Sequence, residues 1–193
     1  MPRTKKFNEQ EVLTKAMELF WEKGFHATSM QDLVLRLGIN RASLYDTFGG
    51  KEELFNRAFA EYRSTAGDWL HGVFAAEDSV KNGFHSLFLK AIDEAVNDPC
   101  RKGCFVVNTT TELVPGDPVI QETLLTHKTA IERLFEGYVQ QGINSGEIAP
   151  DKDANAIGVM LFTLYNGLRV VSKVDTDRAK LEQIATTALT VLD

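Results

Sequence analysis

The chain has 193 residues, 44% hydrophobic and 25% charged, an ordinary globular composition that excludes a mainly disordered protein. A compact chain of this length buries roughly 70% of its unfolded surface, so it needs no staples, and its two cysteines are too few for a disulfide framework. The net charge of −6 divides unevenly, +2 over residues 1–51 and −8 over residues 52–193, so an acidic total does not exclude a nucleic-acid partner for the first part.

Helical spacing runs through the sequence, with no long alternating Val/Ile/Thr run and no Asn-Gly hairpin signal. Val12, Ala16, Leu19 and Phe20 mark one face of a helix from about Asn8 to Lys23, stopped by Gly24. Thr28 or Ser29 caps a short helix carrying Met30, Leu33, Val34 and Leu37, which Gly38 ends. Asn40 caps a second short helix with Leu44, Tyr45 and Phe48, closed by Gly49-Gly50. A long periodic stretch follows from Lys51 through Phe74, counted as one helix whose weak point is near Gly67. The next helix starts at Asp78 and is halted by Asp98-Pro99, since the residue before proline avoids the α region. A short piece spans Gly103 to Leu113, and a long helix carries Ile120 to Tyr138 and ends between Gly142 and Gly146. Helices from Asp151 to about Ser172 and from Asp177 to Leu192 complete an all-α chain of nine helices.

Two short helices pivoting on Gly38 have the pattern of a helix-turn-helix, held at a fixed angle by Leu33, Leu37, Ile39 and Leu44. Asn40, Arg41, Ala42, Ser43, Tyr45 and Asp46 are left facing outward. Arginine forks onto guanine edges, asparagine pairs with adenine, and hydroxyls reach phosphates or bases. The same face also suits a solvated helix in any helical bundle.

The run from Gly24 to Leu33 and the run from Leu37 to Leu54, with its Leu-Tyr-x-x-Phe-x-x-Lys-Glu-x-Leu segment from Leu44, resemble the DNA-binding head of the TetR family of repressors. The resemblance implies a three-helix head over residues 1–50 and a larger helical effector-binding and dimerisation domain over residues 51–193. It implies a homodimeric, ligand-responsive transcriptional repressor whose partners are palindromic double-stranded operator DNA and a small-molecule effector. Carried residue by residue, it assigns Thr28, Ser29, Tyr45 and Lys51 to phosphates, and Asn40, Arg41, Ala42 and Ser43 to bases, with Gln31 also in the DNA-binding set. Asp46 stands where the family often has a neutral or basic side chain, so it is expected to accept from cytosine or cap a neighbour. Phe48 is read as packing. Arg3, Lys5 and Lys6 form either a basic arm or a solvated tail.

In the body, Asp153 to Arg169 encloses the most continuously apolar helix. Leu161, Leu164, Tyr165 and Leu168, with Ile184 and Leu189 of the last helix, are the expected dimer interface, an internal core helix being the alternative. Trp69, Phe84, Phe88, Phe135 and Tyr138 are core aromatics or, with Cys104 and Asn108, an effector pocket. The Gly103-Cys104 pair resembles a Gly-Cys motif opening the sixth helix in a subset of the family. Cys104 is thus either a buried apolar residue or, beside Arg101 and Lys102, a thiolate-prone redox or electrophile sensor.

No nucleophile elbow, phosphate loop, His-Glu-x-x-His or paired-carboxylate motif is present, so the chain is not expected to be an enzyme, and no catalytic residue, cofactor or metal is implied. A helical adaptor that binds protein is the remaining alternative. Residues 1–7 lack an apolar run behind their basic residues, and Ala154 to Leu168 falls short of the roughly 20 apolar residues a bilayer takes. A cytoplasmic location and no membrane partner are expected.

Overall fold

A computed structural model describes residues 7–193. Among them are nine α-helices and no strand: α1 (Glu9–Lys23), α2 (Met30–Leu37), α3 (Arg41–Phe48), α4 (Lys51–Ala75), α5 (Val80–Asn97), α6 (Phe105–Leu113), α7 (Pro118–Ser145), α8 (Ala154–Val171) and α9 (Arg178–Leu189). A 3-10 turn, Thr190–Leu192, ends the chain. Helix α4 runs continuously through Gly67, the weak point of that stretch, as the count of nine helices requires. The chain divides into two compact units that part between Thr65 and Ala66, beyond the boundary expected at residue 50.

The first unit is built from α1, α2, α3 and the first half of α4. Asn8 accepts from the N–H groups of Gln10 and Glu11, starting α1. Leu13, Ala16 and Phe20 of α1, Leu33 and Leu37 of α2, and Leu44 and Phe48 of α3 are buried, together with Leu54, Phe55, Ala58 and Phe59 of α4. The Phe20 and Phe55 rings meet edge-on at 5.2 Å. That burial is why the first half of α4 belongs with the head: removing Leu54 and Phe55 would open its core.

The second unit packs the rest of α4 with α5 to α9 around two apolar clusters. Leu70, Phe74, Phe84, Phe135, Val139, Ile157 and Leu161 form one, and Phe88, Ile92, Leu168, Leu181 and Ala185 the other. Tyr165 lies against both clusters, 5.7 Å from Phe88 and 6.4 Å from Phe135 between ring centroids. Burial pushes its hydroxyl up to about 12, with the Arg169 cation opposing. Arg169 itself is nearly buried and pairs with Glu94 of α5. In the α7–α8 connection, the Glu147 carboxylate accepts from the N–H groups of Val80 and Lys81 at 2.9 and 2.8 Å. It thereby fills the N-terminus of α5 from outside the helix.

Helix α8 is 18 residues with a mean hydropathy of 1.2, long and apolar enough by those measures to cross a membrane, contrary to the shorter stretch expected. The helix runs on past its first charge, Arg169, which it absorbs by an ion pair with Glu94. Here α8 packs on α7, and the contact is closest at Gly158, where a Cβ would lie 2.7 Å from the backbone nitrogen of Glu136. Backbone cannot yield as a flexible side chain can. Gly158→Ala is therefore expected to cost about 1–3 kcal/mol of stability, as overpacking does. Chemical denaturation of the two proteins checks this, and equal midpoints would show that α8 rides free of α7.

Candidate nucleic-acid interface

The turn between α2 and α3 depends on Gly38, which ends α2 in the left-handed region at φ +68° and lets its N–H bond back to the Val34 carbonyl. Ile39 is buried immediately after it, and Leu44 and Phe48 hold the inner face of α3. One face of an eight-residue helix is thus committed to the head, and the other is turned outward. Asn40, Arg41, Ala42, Tyr45 and Asp46 are exposed, Ser43 is half-buried, and Gln31 is exposed on α2.

Several of these side chains are already engaged locally. The Asn40 Oδ1 accepts from the Ser43 N–H at 2.8 Å, capping α3 and directing the side-chain NH2 away from the cap. The Arg41 guanidinium sits 5.8 Å from the Tyr45 ring centroid and has no ion pair among the described residues. Tyr45 lies against Gly50, where a Cβ would come within 3.3 Å of its ring. Asp46 makes no hydrogen bond or ion pair among the described residues, which removes the expected capping role. The Lys51 ammonium, at the start of α4, stands 4.4 Å from the Phe25 ring centroid.

Ser29 and Thr28 differ from each other in a way their sequence positions do not reveal. Ser29 is exposed and forms a capping box. Its hydroxyl donates to Asp32 Oδ2 at 2.7 Å and accepts from the Asp32 N–H at 3.1 Å, while the same carboxylate accepts from the Ser29 N–H. Thr28 is fully buried and donates through Oγ1 to the Gly24 carbonyl at 2.6 Å. Its side chain ties α1 to α2 and is not presented outward, which corrects the expected phosphate contact. Phe48 packs as expected, with the Arg57 guanidinium 4.8 Å from its ring centroid. Arg3, Lys5 and Lys6 lie outside the described residues.

Sequence reasoning missed Asp32 and Phe25. For Asp32 the signal was present in the Ser29-x-x-Asp32 spacing. For Phe25 there was none, because a ring between a glycine and a histidine gives no hint of a lysine that lies far along the chain.

In the second unit, Phe84, Phe88 and Phe135 are fully buried, and Phe84 and Phe135 meet edge-on at 5.3 Å. They act as core. Trp69 and Tyr138 are half-buried beside that cluster, and Tyr138 stacks on Phe74 with centroids 3.7 Å apart and its hydroxyl 3.2 Å from His71 Nδ1. Asn108 donates to the Lys102 carbonyl at 2.8 Å and accepts from Lys173 Nζ at 2.9 Å, so both its polar ends brace the segment leading into α6. Cys104 is half-buried at the N-cap of α6, following Gly103 at φ +67°.

The expected dimer residues separate into two faces. Leu161 and Leu168, seven residues apart on one stripe of α8, are buried within the protomer and are not available to a partner. Leu164, Tyr165 and Leu189 are half-buried. Val159, Met160, Val170 and Val171 of α8 and Ile184 of α9 are the apolar side chains left exposed, at 37–47%. An open groove of about 660 Å³ lies beside them, lined by Met160, Leu164, Gln183, Ile184, Ala188 and Val191.

Residues 12–58 match the family model of bacterial regulatory proteins, tetR family, and residues 84–188 match the tetracyclin repressor-like C-terminal domain. The chain is 33% identical over its whole length, and over all of the relative, to the HTH-type transcriptional regulator YezE of Bacillus subtilis (strain 168). It is 31% identical to the HTH-type transcriptional repressor ComR of Escherichia coli (strain K12), over 97% of this chain and 90% of that one. A cysteine mutant of the TetR family transcriptional regulator CifR, complexed with 26bp double-strand operator DNA, superposes with a TM-score of 0.88 at 27% identity, covering 99% of this chain and 100% of that one.

Hydrogen bonds from Lys23 and Ser29 hold the Asp32 carboxyl well below the usual aspartate range. A carboxyl depressed by folding contributes stability above its unfolded pKa, and that contribution is lost as the pH falls through its folded one. Asp32→Asn is therefore expected to melt at a lower temperature than wild type at pH 7, with the gap narrowing as the pH drops below about 3.9. Melting curves across pH check this; a gap that does not change with pH would assign the capping box to geometry alone. With its helix-turn-helix head and matching C-terminal domain, the chain belongs to the tetR family of bacterial regulatory proteins.

Proposed function

We propose that the protein is a homodimeric, effector-responsive transcriptional repressor that binds palindromic operator DNA. The observation that carries this reading is the division of α3 into a buried inner face, Leu44 and Phe48, and an outward face where Arg41, Tyr45 and Asp46 are exposed. The inner face anchors the helix so that the outer one is held ready for a groove. Arg41, Asn40, Ala42 and Ser43 are assigned to base edges and Tyr45, Lys51 and Ser29 to phosphates, with Asp46 of the same face and Gln31 of α2 also in the DNA-binding set. ComR is named a repressor and CifR is complexed with operator DNA, which supports the same role here.

The body serves two further roles in this reading. The effector site is assigned, as the family resemblance implies, to the half-buried Trp69, Tyr138, Cys104 and Asn108 and the buried Phe84, Phe88 and Phe135. The dimer face is assigned to the outward stripe of α8, Val159, Met160, Val170 and Val171, together with Ile184 of α9. A second copy on that stripe would cover apolar side chains that water now surrounds. Two heads would then address half-sites roughly 34–36 Å apart, one helical turn of DNA. The action is cytoplasmic.

Selecting duplexes from a random-sequence pool with the purified protein tests the reading. Palindromic sequences are expected, with affinity falling steeply as salt rises. Arg41→Ala should weaken binding to the selected duplex by about 1–3 kcal/mol and relax one base position. Tyr45→Phe should weaken binding less. Absence of any sequence-selective retardation would favour an adaptor instead. Separately, Met160→Arg with Ile184→Arg is expected to give monomers by light scattering. Leu161→Ala should instead cost about 2–5 kcal/mol of stability and leave the dimer intact. An unchanged dimer in the double arginine variant would remove this face from the interface.

A further inference from the structure

We infer that Phe25 is a positioning residue for DNA binding: its ring holds the Lys51 ammonium in place to meet a backbone phosphate. The inference rests on the proposed reading of Lys51 as a phosphate contact. Lys51 Nζ lies 4.4 Å from the Phe25 ring centroid, well inside cation–π range.

The ring is itself fixed by its neighbours. Phe55 meets it edge-on at 5.0 Å, Phe20 packs at 6.3 Å with planes 27° apart, and the exposed His26 borders it at 5.5 Å. Phe20 and Phe55 are fully buried, so the ring takes its orientation from the core of the head. Phe25 and Lys51 are each half-buried, which leaves the ammonium partly desolvated over the ring and still within reach of solvent.

A lysine has a long flexible stem, and ordering it for one contact costs rotamer entropy. A partner that fixes the ammonium before binding reduces that cost at the moment of association. An aromatic face contributes to ordering it through the ring quadrupole, without itself neutralising the charge. The same arrangement links the α1–α2 connection, which carries Phe25, to the first residue of α4, so the phosphate contact is keyed to the packed head.

The test uses the full chain and the duplex that the wild type selects from a random pool. Phe25→Leu, Phe25→Tyr, Lys51→Ala and the Phe25→Leu/Lys51→Ala double variant are compared over a salt series. Phe25→Leu is expected to weaken binding about two- to five-fold per head and to lower the salt slope toward that of Lys51→Ala. Phe25→Tyr, which keeps the ring face, should bind as wild type does. In the Lys51→Ala background Phe25→Leu should have no further effect. Independently of DNA, the Lys51 ε-methylene protons should be shifted upfield by the ring in wild type and Phe25→Tyr.

Equal weakening by Phe25→Leu with and without Lys51 would reduce Phe25 to a packing residue, as would an unshifted Lys51 signal in the wild type. Should Phe25→Leu fail to fold, Phe25→Tyr and the proton shift still decide the matter. A wild type that selects no duplex overturns the proposed function and this inference with it, whereas selective binding with an unchanged Phe25→Leu salt slope overturns only the role of Phe25.

Discussion

An eight-residue helix is not stable alone in water, because nucleating it fixes several residues for each hydrogen bond gained. Helix α3 persists because Leu44 and Phe48 are inserted into the head and because Asn40 and Gly49 satisfy its two ends. Its outer positions make only local contacts, which is what leaves Arg41 and Tyr45 exposed to a partner. Every assignment on the outer face therefore depends on two apolar side chains on the inner one. The buried Thr28 serves the same end from the other side, fastening the chain just before α2 begins.

The body meets a different constraint. Helix α8 is apolar around most of its circumference, so one set of side chains goes inward and another has to be covered by something else or stay wet. Gly158 allows α8 to press against the backbone of α7, which draws the Leu161–Leu168 stripe into the core and turns the Val159–Met160 stripe outward. The buried Arg169 is tolerated at the far end because Glu94 of α5 pairs with it. A helix with this composition is central to folding the chain and, on the proposed reading, to the surface that two copies share.

The helices were legible in the sequence because their punctuation is local. Asn8, Ser29, Asn40, Asp153 and Asp177 cap helices, and Gly24, Gly38, Gly49 and Gly146 follow helix ends. The outer face of α3 was legible for the same reason, since it is what two buried positions leave over. Thr28 and Ser29 were not separable, because adjacent hydroxyls differ in burial through packing against α1 rather than through any pattern of their own. The α8 residues were misassigned between faces because a helix apolar on several sides offers no polar stripe to fix its rotation. The extent of the head into α4 was hidden by a periodicity that runs unbroken from Leu54 to Phe74. Phe25 over Lys51 is a tertiary contact between residues with no shared element, and no local rule anticipates it.

The cap on α3 bears on how Asn40 would take part in recognition. One lone pair of its carbonyl oxygen is taken by the Ser43 amide, so what it offers outward is its NH2 donor and the oxygen's one remaining lone pair. Reading adenine through both N6 and N7 takes one of each. While the cap holds, its NH2 is the unencumbered group, suited to acceptor atoms such as guanine N7 or O6, thymine O4 or a phosphate oxygen. On the proposed reading, then, the residue that begins the recognition helix grips both atoms of an adenine edge only by sharing its oxygen between cap and base.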